Sequence, residues 1–129
     1  MKPRVLLVED EPDISLIARA ALVRAGYEVT TAATGLEALD KAGAQPFDLI
    51  LLDWMLPELD GFETCARLKA DPLTAQVPVI FLTAKRDESD RARCVALGAL
   101  GCIGKPFKPL ELGASIAAIW TFEAGGARP

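Results

Sequence analysis

Histidine is absent from this chain. No imidazole can act as a general base here, and a histidine-built zinc site is excluded. Cysteine is scarce: Cys65, Cys94 and Cys102 are too few and too scattered for a disulfide framework or a CxxC metal site. Aromatic residues make up only 6% of the 129 residues, against a hydrophobic fraction of 51%. The core must therefore be built from Val, Leu, Ile and Ala, which suits α/β packing in a single domain. Apolar runs are short, and none approaches the roughly 18 residues of a membrane span. The first run covers only Val5 to Val8 before three acids follow, which is not a secretory leader. A cytoplasmic protein with no membrane contact is expected. Basic clusters are missing too: none is longer than Lys85-Arg86, and the net charge is −4, so direct nucleic-acid binding is not expected.

What the chain does have is a set of short apolar runs that end on functional groups. Leu49 to Leu52 is wholly apolar, as in a strand buried on both faces, and stops on Asp53. Pro57 and Asp60-Gly61 then mark a loop before a helical pattern from Phe62. Val5 to Val8 ends on Glu9-Asp10-Glu11, Val79 to Leu82 ends on Thr83, and the short strand Gly101 to Gly104 ends on Lys105-Pro106. Tyr27 to Thr31 has the composition of a further strand.

Helical patterns fill the intervals. The first carries Ile14, Ile17, Ala18, Ala21, Leu22 and Ala25 on one stripe, with Asp13 as its N-cap and Gly26 as its stop. The second starts at Thr34-Gly35, carries Leu36, Leu39 and Ala42, and closes at Gly43. The third runs from about Phe62 to Ala70, with Phe62, Cys65 and Leu68 inward and Asp71-Pro72 as its end. A polar segment, Lys85 to Asp90, precedes the fourth, which carries Ala92, Val95 and Ala96 and stops at Gly98. The last spans about Pro109 to Phe122, with Leu112, Ile116 and Ile119 on one face, and Ala124 to Pro129 reads as a frayed tail. Alternating strands and helices predict a parallel sheet covered on both faces, with right-handed crossovers.

In such a sheet every carboxyl end lies along one edge, so Glu9, Asp10, Asp53, Thr83 and Lys105 converge. In the doubly wound order 2-1-3-4-5 the first and third strands are neighbours beside the switch-point crevice. Each residue alone is an ordinary strand terminus; the coincidence is what carries weight. Clustered carboxylates repel one another, and a hard cation such as Mg2+ relieves that while leaving room for phosphate oxygens. Lys105 adds positive charge and Thr83 a hydroxyl donor. The set suits phosphoryl transfer onto a carboxylate.

The motifs VEDEP at 8–12, LLDWMLPELDG at 51–61, PVIFLTA at 78–84 and KPF at 105–107 resemble the receiver domain of two-component response regulators, in order and spacing, over about the whole chain. The resemblance implies a flavodoxin-like α/β fold of five parallel strands and five helices, with residues 1–123 as the receiver domain and 124–129 as a tail. It implies a phosphorylation-dependent signalling switch rather than a turnover enzyme. Asp53 would accept a phosphoryl group from a histidine kinase or a histidine phosphotransfer protein. Glu9, Asp10, Asp53 and the backbone carbonyl of Met55 would hold Mg2+. Lys105, aimed by a cis bond before Pro106, would contact the phosphoryl oxygens, and Thr83 would move to hydrogen-bond them.

One departure stands out. The family usually has Tyr or Phe three residues before the lysine, and here Cys102 stands there, preceded by Leu100-Gly101 in place of an acidic pair. The response is therefore expected to run from Thr83 through Ala84 to Asp90 and its helix, toward a partner-binding face formed by the fourth helix, fifth strand and fifth helix. Two other classes compete. A metal-dependent aspartyl phosphatase needs a second Asp two residues after the nucleophile, where Met55 stands. A vestigial receiver would lack some of the five groups, all of which are present. No helix-turn-helix or second domain is read after Phe122, as expected of a stand-alone regulator or of a receiver taken from a longer protein.

Overall fold

A computed structural model describes residues 2–84 and 88–120. The chain alternates β1 (Arg4–Val8), α1 (Pro12–Arg24), β2 (Glu28–Ala32), α2 (Gly35–Ala44), β3 (Leu49–Asp53), α3 (Gly61–Ala70), β4 (Val79–Thr83), α4 (Glu88–Ala96), β5 (Gly101–Gly104) and α5 (Pro109–Ile119). The strands form one parallel sheet in the order β2-β1-β3-β4-β5. This is the doubly wound, flavodoxin-like α/β architecture expected from the pattern.

Alternation along the strands divides the core in two. Leu6, Val8, Ile50, Leu52, Val79 and Phe81 pack with α2, α3 and α4 residues on one face. Val5, Leu7, Leu49, Leu51, Ile80 and Leu82 pack with Ala18 and Leu22 of α1 and Leu112 and Ile116 of α5 on the other. Both faces of β3 and β4 are covered, so every residue of these strands is buried. Burying a side chain such as Leu51 or Ile80 contributes about 1.5–3 kcal/mol of transfer free energy.

The helix ends follow local chemistry. Thr34 accepts the Glu37 N–H at 3.0 Å, and Glu37 reaches back to the Ala33 N–H at 2.7 Å, a reciprocal cap on α2. Asp60 caps α3 by accepting the Glu63 N–H at 2.8 Å. The stop at Gly26 is as read, since its φ of 102° is open to glycine and strained for other residues. Asp13, by contrast, is not the N-cap of α1. Glu11 holds that position without a side-chain bond, because Pro12 supplies the first helical residue and moves Asp13 into the first turn. The apolar stripes are also narrower than their sequence suggests. Ile17 and Ala25 of α1, Leu36 of α2, and Ala92, Val95 and Ala96 of α4 face outward, and α5 ends at Ile119. Phe122, the tail 124–129 and residues 85–87 of the expected relay loop lie outside the described residues.

The start of α3 is pressed against the end of β3. The Gly61 N–H donates to the Trp54 carbonyl at 3.0 Å, and a methyl group on Gly61 would fall on the Asp53 carbonyl oxygen and within 2.9 Å of the Trp54 Cα. Neither neighbour is a side chain that can swing away. Gly61→Ala should therefore destabilise the protein by about 1–3 kcal/mol, the usual range for overpacking. A urea midpoint unchanged from wild type would contradict this close approach.

Candidate functional site

The strand register decides which side chains meet. Val8 pairs with Leu52, so Glu9 comes abreast of Asp53. Asp53 pairs with Leu82, and Thr83 with Gly104, so Thr83 follows one step and Lys105 two steps further along the edge. Parity then separates them. Glu9, Asp53 and Lys105 share the parity of the strand residues that face α1 and α5, whereas Thr83 shares that of Phe81 and faces the α3 and α4 side.

The Lys105 ammonium lies between the two carboxylates, 2.6 Å from Glu9 Oε1 and 3.2 Å from Asp53 Oδ2. The main chain supplies further donors: Glu11 N–H to Glu9 Oε2 and Met55 N–H to Asp53 Oδ1, each at 3.2 Å. Glu9 and Asp53 are buried, and Asp10 is the most open of the three acids. One oxygen from each of Glu9, Asp10 and Asp53 falls within 4.8 Å of the others. Glu9 Oε1 is buried, with the Lys105 ammonium 2.6 Å away as its ion-pair partner. A buried anionic oxygen in that state has coordinating capacity to spare.

The sequence-predicted residues Glu9, Asp10, Asp53 and Lys105 are thus brought into one cluster. Thr83 is buried at the same edge, and its carbonyl accepts the Lys105 N–H at 2.7 Å. The Lys105–Pro106 bond is cis. Met55 directs its N–H to Asp53 while its side chain stands in solvent. A cleft of about 660 Å³ opens above the acids, walled by Ile14 and Ile17 of α1 and by Pro106 and Phe107 of the segment after β5. These apolar walls were not visible as site residues in the sequence, where Ile14 and Ile17 read as core. Equally hidden was a cluster on the opposite face of the sheet: Trp54 meets Phe62 edge-on at 4.4 Å, Phe62 lies 5.5 Å from Phe81, and the Arg93 guanidinium sits 3.8 Å over the Phe62 ring.

Burial pushes the Glu9 carboxyl above its ordinary value; Lys105 pulls it down without cancelling this, and Asp53 adds to the rise. Burial alone would lower Lys105, but Glu9 and Asp53 outweigh it and hold the ammonium above its ordinary value. A carboxyl raised in the native state binds its proton more tightly there than in the unfolded chain. Its stabilisation is full below about pH 4.5 and falls as pH rises through the raised value. The Lys105 contribution is full below 10.5 and is lost only above it, outside that window. Without added metal, the melting temperature of Glu9→Gln minus that of wild type should therefore increase as pH rises from 4 to 7. A flat or falling difference would contradict the buried-acid account.

The thiols sit on the Phe81 side of the sheet. Cys65 and Cys94 are buried, and Cys102 is half-buried beside Phe81 in the β4–β5 register. Burial pushes the Cys94 thiol up to about 11, with Cys102, Asp90 and Cys65 adding to the effect, and burial also raises Cys65. At pH 8 only about one in a thousand molecules would carry a Cys94 thiolate. An aromatic disulfide reagent should react first at Cys102 and reach Cys94 only on unfolding. A fast phase surviving in Cys102→Ser would overturn this ordering.

Residues 5–117 match the family described as the response regulator receiver domain. The chain is 44% identical over 119 residues to the alkaline phosphatase synthesis transcriptional regulatory protein PhoP of Bacillus subtilis, covering 92% of this chain and 49% of that protein. It spans about half the length of the curated relatives it matches. Among solved structures it is similar to the chemotaxis protein CheY4 of Vibrio cholerae, with a TM-score of 0.88 and 33% identity, covering 93% of this chain and 100% of that one. It is also similar to the receiver domain of the sensor histidine kinase PA1611 of Pseudomonas aeruginosa, solved with a magnesium ion coordinated in its active-site cleft. There the TM-score is 0.82 and the identity 36%, over 92% of this chain and 98% of that one.

Proposed function

Because this chain belongs to the response regulator receiver domain family, we propose that its phosphoacceptor is Asp53, served by Lys105 and Thr83 and by a Mg2+ ion held on Glu9, Asp10, Asp53 and the Met55 carbonyl. Receiver domains are phosphorylation switches that partner histidine kinases, and this chain is a signalling module of that kind rather than a turnover enzyme. The observation that carries the assignment is the Lys105 ammonium bridging Glu9 and Asp53 at the mouth of the cleft.

The donor set fits a hard cation. It consists of carboxylate oxygens, those of Glu9 and Asp53 buried, and the similar PA1611 domain carries magnesium in its cleft. Bound there, the ion would neutralise charge on the acids and on incoming phosphoryl oxygens. The protein's own groups orient the nucleophile. Met55 N–H holds Asp53 Oδ1 and Lys105 holds Oδ2, so the carboxylate presents a fixed edge to the cleft. An Asp53 oxygen attacks the phosphorus of a phosphohistidine; the new O–P bond forms as the P–N bond breaks, and the imidazole leaves with the electron pair. Lys105 stays close enough to pair with the transferred phosphoryl oxygens.

The donor is a histidine kinase or a histidine phosphotransfer protein, and the switch acts on a downstream protein through the α4-β5-α5 face. In support, Val95 of α4 and Leu100, just before β5, stand exposed, and Cys102 of β5 is half-buried. Residues 1–123 constitute the receiver unit, with 124–129 as a tail. We place the protein in the cytoplasm with no direct nucleic-acid contact. No helix among the described residues is long and apolar enough to cross a membrane.

Acetyl phosphate with Mg2+ should give an acid-stable, base-labile adduct on Asp53, prevented by EDTA and absent in Asp53→Asn. Labelling of Asp53→Asn at the wild-type rate would overturn the assignment. Mg2+ alone should raise the melting temperature, since a ligand at a hundredfold excess over its Kd adds roughly 2.7 kcal/mol to the native state. That rise should shrink in Asp10→Asn, and an undiminished rise would remove Asp10 from the ion site.

A further inference from the structure

Strand alternation sends Asp53 toward α1 and α5 and sends its neighbour Trp54 to the opposite face of the sheet. Trp54 is fixed through its main chain: its N–H donates to the Leu82 carbonyl and its carbonyl accepts the Gly61 N–H, both at 3.0 Å. Its ring meets Phe62 edge-on at 4.4 Å, and on Phe62 lies the guanidinium of Arg93, 3.8 Å from the ring centroid. Arg93 belongs to α4. Cys94 is its buried residue among those described, while Ala92, Val95 and Ala96 face solvent. A continuous set of contacts therefore joins the residue after Asp53 to α4.

We propose that Arg93 is a positioning residue that couples α4 to the phosphoacceptor site through Phe62 and Trp54. This rests on the reading of Asp53 as phosphoacceptor. The choice of arginine matters physically, because a planar guanidinium can lie flat on a ring, whereas a lysine ammonium meets it as a point charge. A phosphoryl group on Asp53 adds charge and bulk next to a residue whose main chain is clamped between β4 and α3. Displacement of Trp54 tilts or shifts Phe62, and the cation above Phe62 either follows or lets go. In both cases α4 changes its hold on the sheet.

The experiment is hydrogen exchange over residues 88–97 in the full chain, with and without Mg2+ and acetyl phosphate, and with phosphate incorporation measured in the same samples. Wild type, Arg93→Ala, Arg93→Lys and Phe62→Leu are compared. Arg93→Ala should incorporate phosphate as wild type does. In the unmodified form its α4 should exchange about two- to five-fold faster, the equilibrium factor expected from a partly exposed cation–π contact. The change in α4 exchange on phosphorylation should be lost in Arg93→Ala and in Phe62→Leu, and reduced in Arg93→Lys. A merely structural role would speed exchange equally in both states and leave that phosphorylation-dependent change intact, which would overturn the proposal. Loss of the change in Arg93→Ala but not in Phe62→Leu would overturn it as well, since the ring would then not be the link. Failure of wild type to incorporate phosphate at Asp53 would instead defeat the functional reading, and would be seen in the incorporation assay independently of Arg93.

Discussion

Three carboxylates gathered at the edge of the sheet, with one ammonium between two of them, are the constraint on which the site depends. Nothing about a parallel sheet requires charge there. The fold brings strand ends together, and this sequence places acids on two of them and a lysine on a third. Removing Glu9 and Asp53 from water is costly, and Lys105 answers that cost only in part. Its ammonium is shared between the two carboxylates. The raised Glu9 carboxyl reflects this shortfall. The same shortfall makes the site receptive, since a fully neutralised cluster would have no electrostatic reason to take up a cation.

The charge balance can be followed a step further. Glu9, Asp10 and Asp53 against Lys105 leave two negative charges in excess when all four are ionised. A divalent cation brings the sum to zero. A phosphoryl group carries about −1.5 to −2 charges, so with Asp53 as the proposed acceptor its transfer would make the site negative again by roughly one. Metal binding and phosphorylation are therefore linked: the ion lowers the cost of bringing an anionic donor into the cleft, and the product strengthens the field that holds the ion. Lys105 pairs with Glu9 and Asp53, and in the proposed role it would pair with phosphoryl oxygens after transfer, because a lysine stem is long and its ammonium is not tied to a planar fork.

Most of the site was legible in the sequence because its residues lie at strand ends, and strand ends are marked by where an apolar run stops. Asp53 and Glu9 are visible for that reason, and Lys105 because Pro106 punctuates the chain after Gly104. The parallel, doubly wound class followed from the alternation of elements, whereas the strand order had to be taken over from known folds of that class. What could not be read depends on rotation about helix axes and on which neighbour a side chain finds. Ile17 has the spacing of a core residue yet faces outward along the cleft, because α1 is packed mainly through Ala18 and Leu22. Val95 fits an inward stripe on α4, but the helix turns Cys94 to the sheet instead. The Arg93–Phe62 contact joins residues from different helices, and no local pattern reports it.

The parity of β3 ties these observations together. Consecutive residues of a strand face opposite sides of the sheet, so the carboxylate of Asp53 and the indole of Trp54 are adjacent in sequence but separated by the sheet. Acids, lysine and cleft lie on the α1 and α5 side; Thr83, Phe81, Cys102 and the rings beneath α4 lie on the other. A donor protein approaching the cleft therefore need not touch the surface that changes in response. The two functions share only the main chain at the ends of β3 and β4, which the Trp54–Leu82, Gly61–Trp54 and Lys105–Thr83 hydrogen bonds hold in place. A small shift there has no slack to be absorbed in, because both strands are buried on both sides and Gly61 already sits at the closest approach that lacks a side chain. Close packing at that junction is what would let chemistry on one face become movement on the other in the proposed coupling of Asp53 to α4.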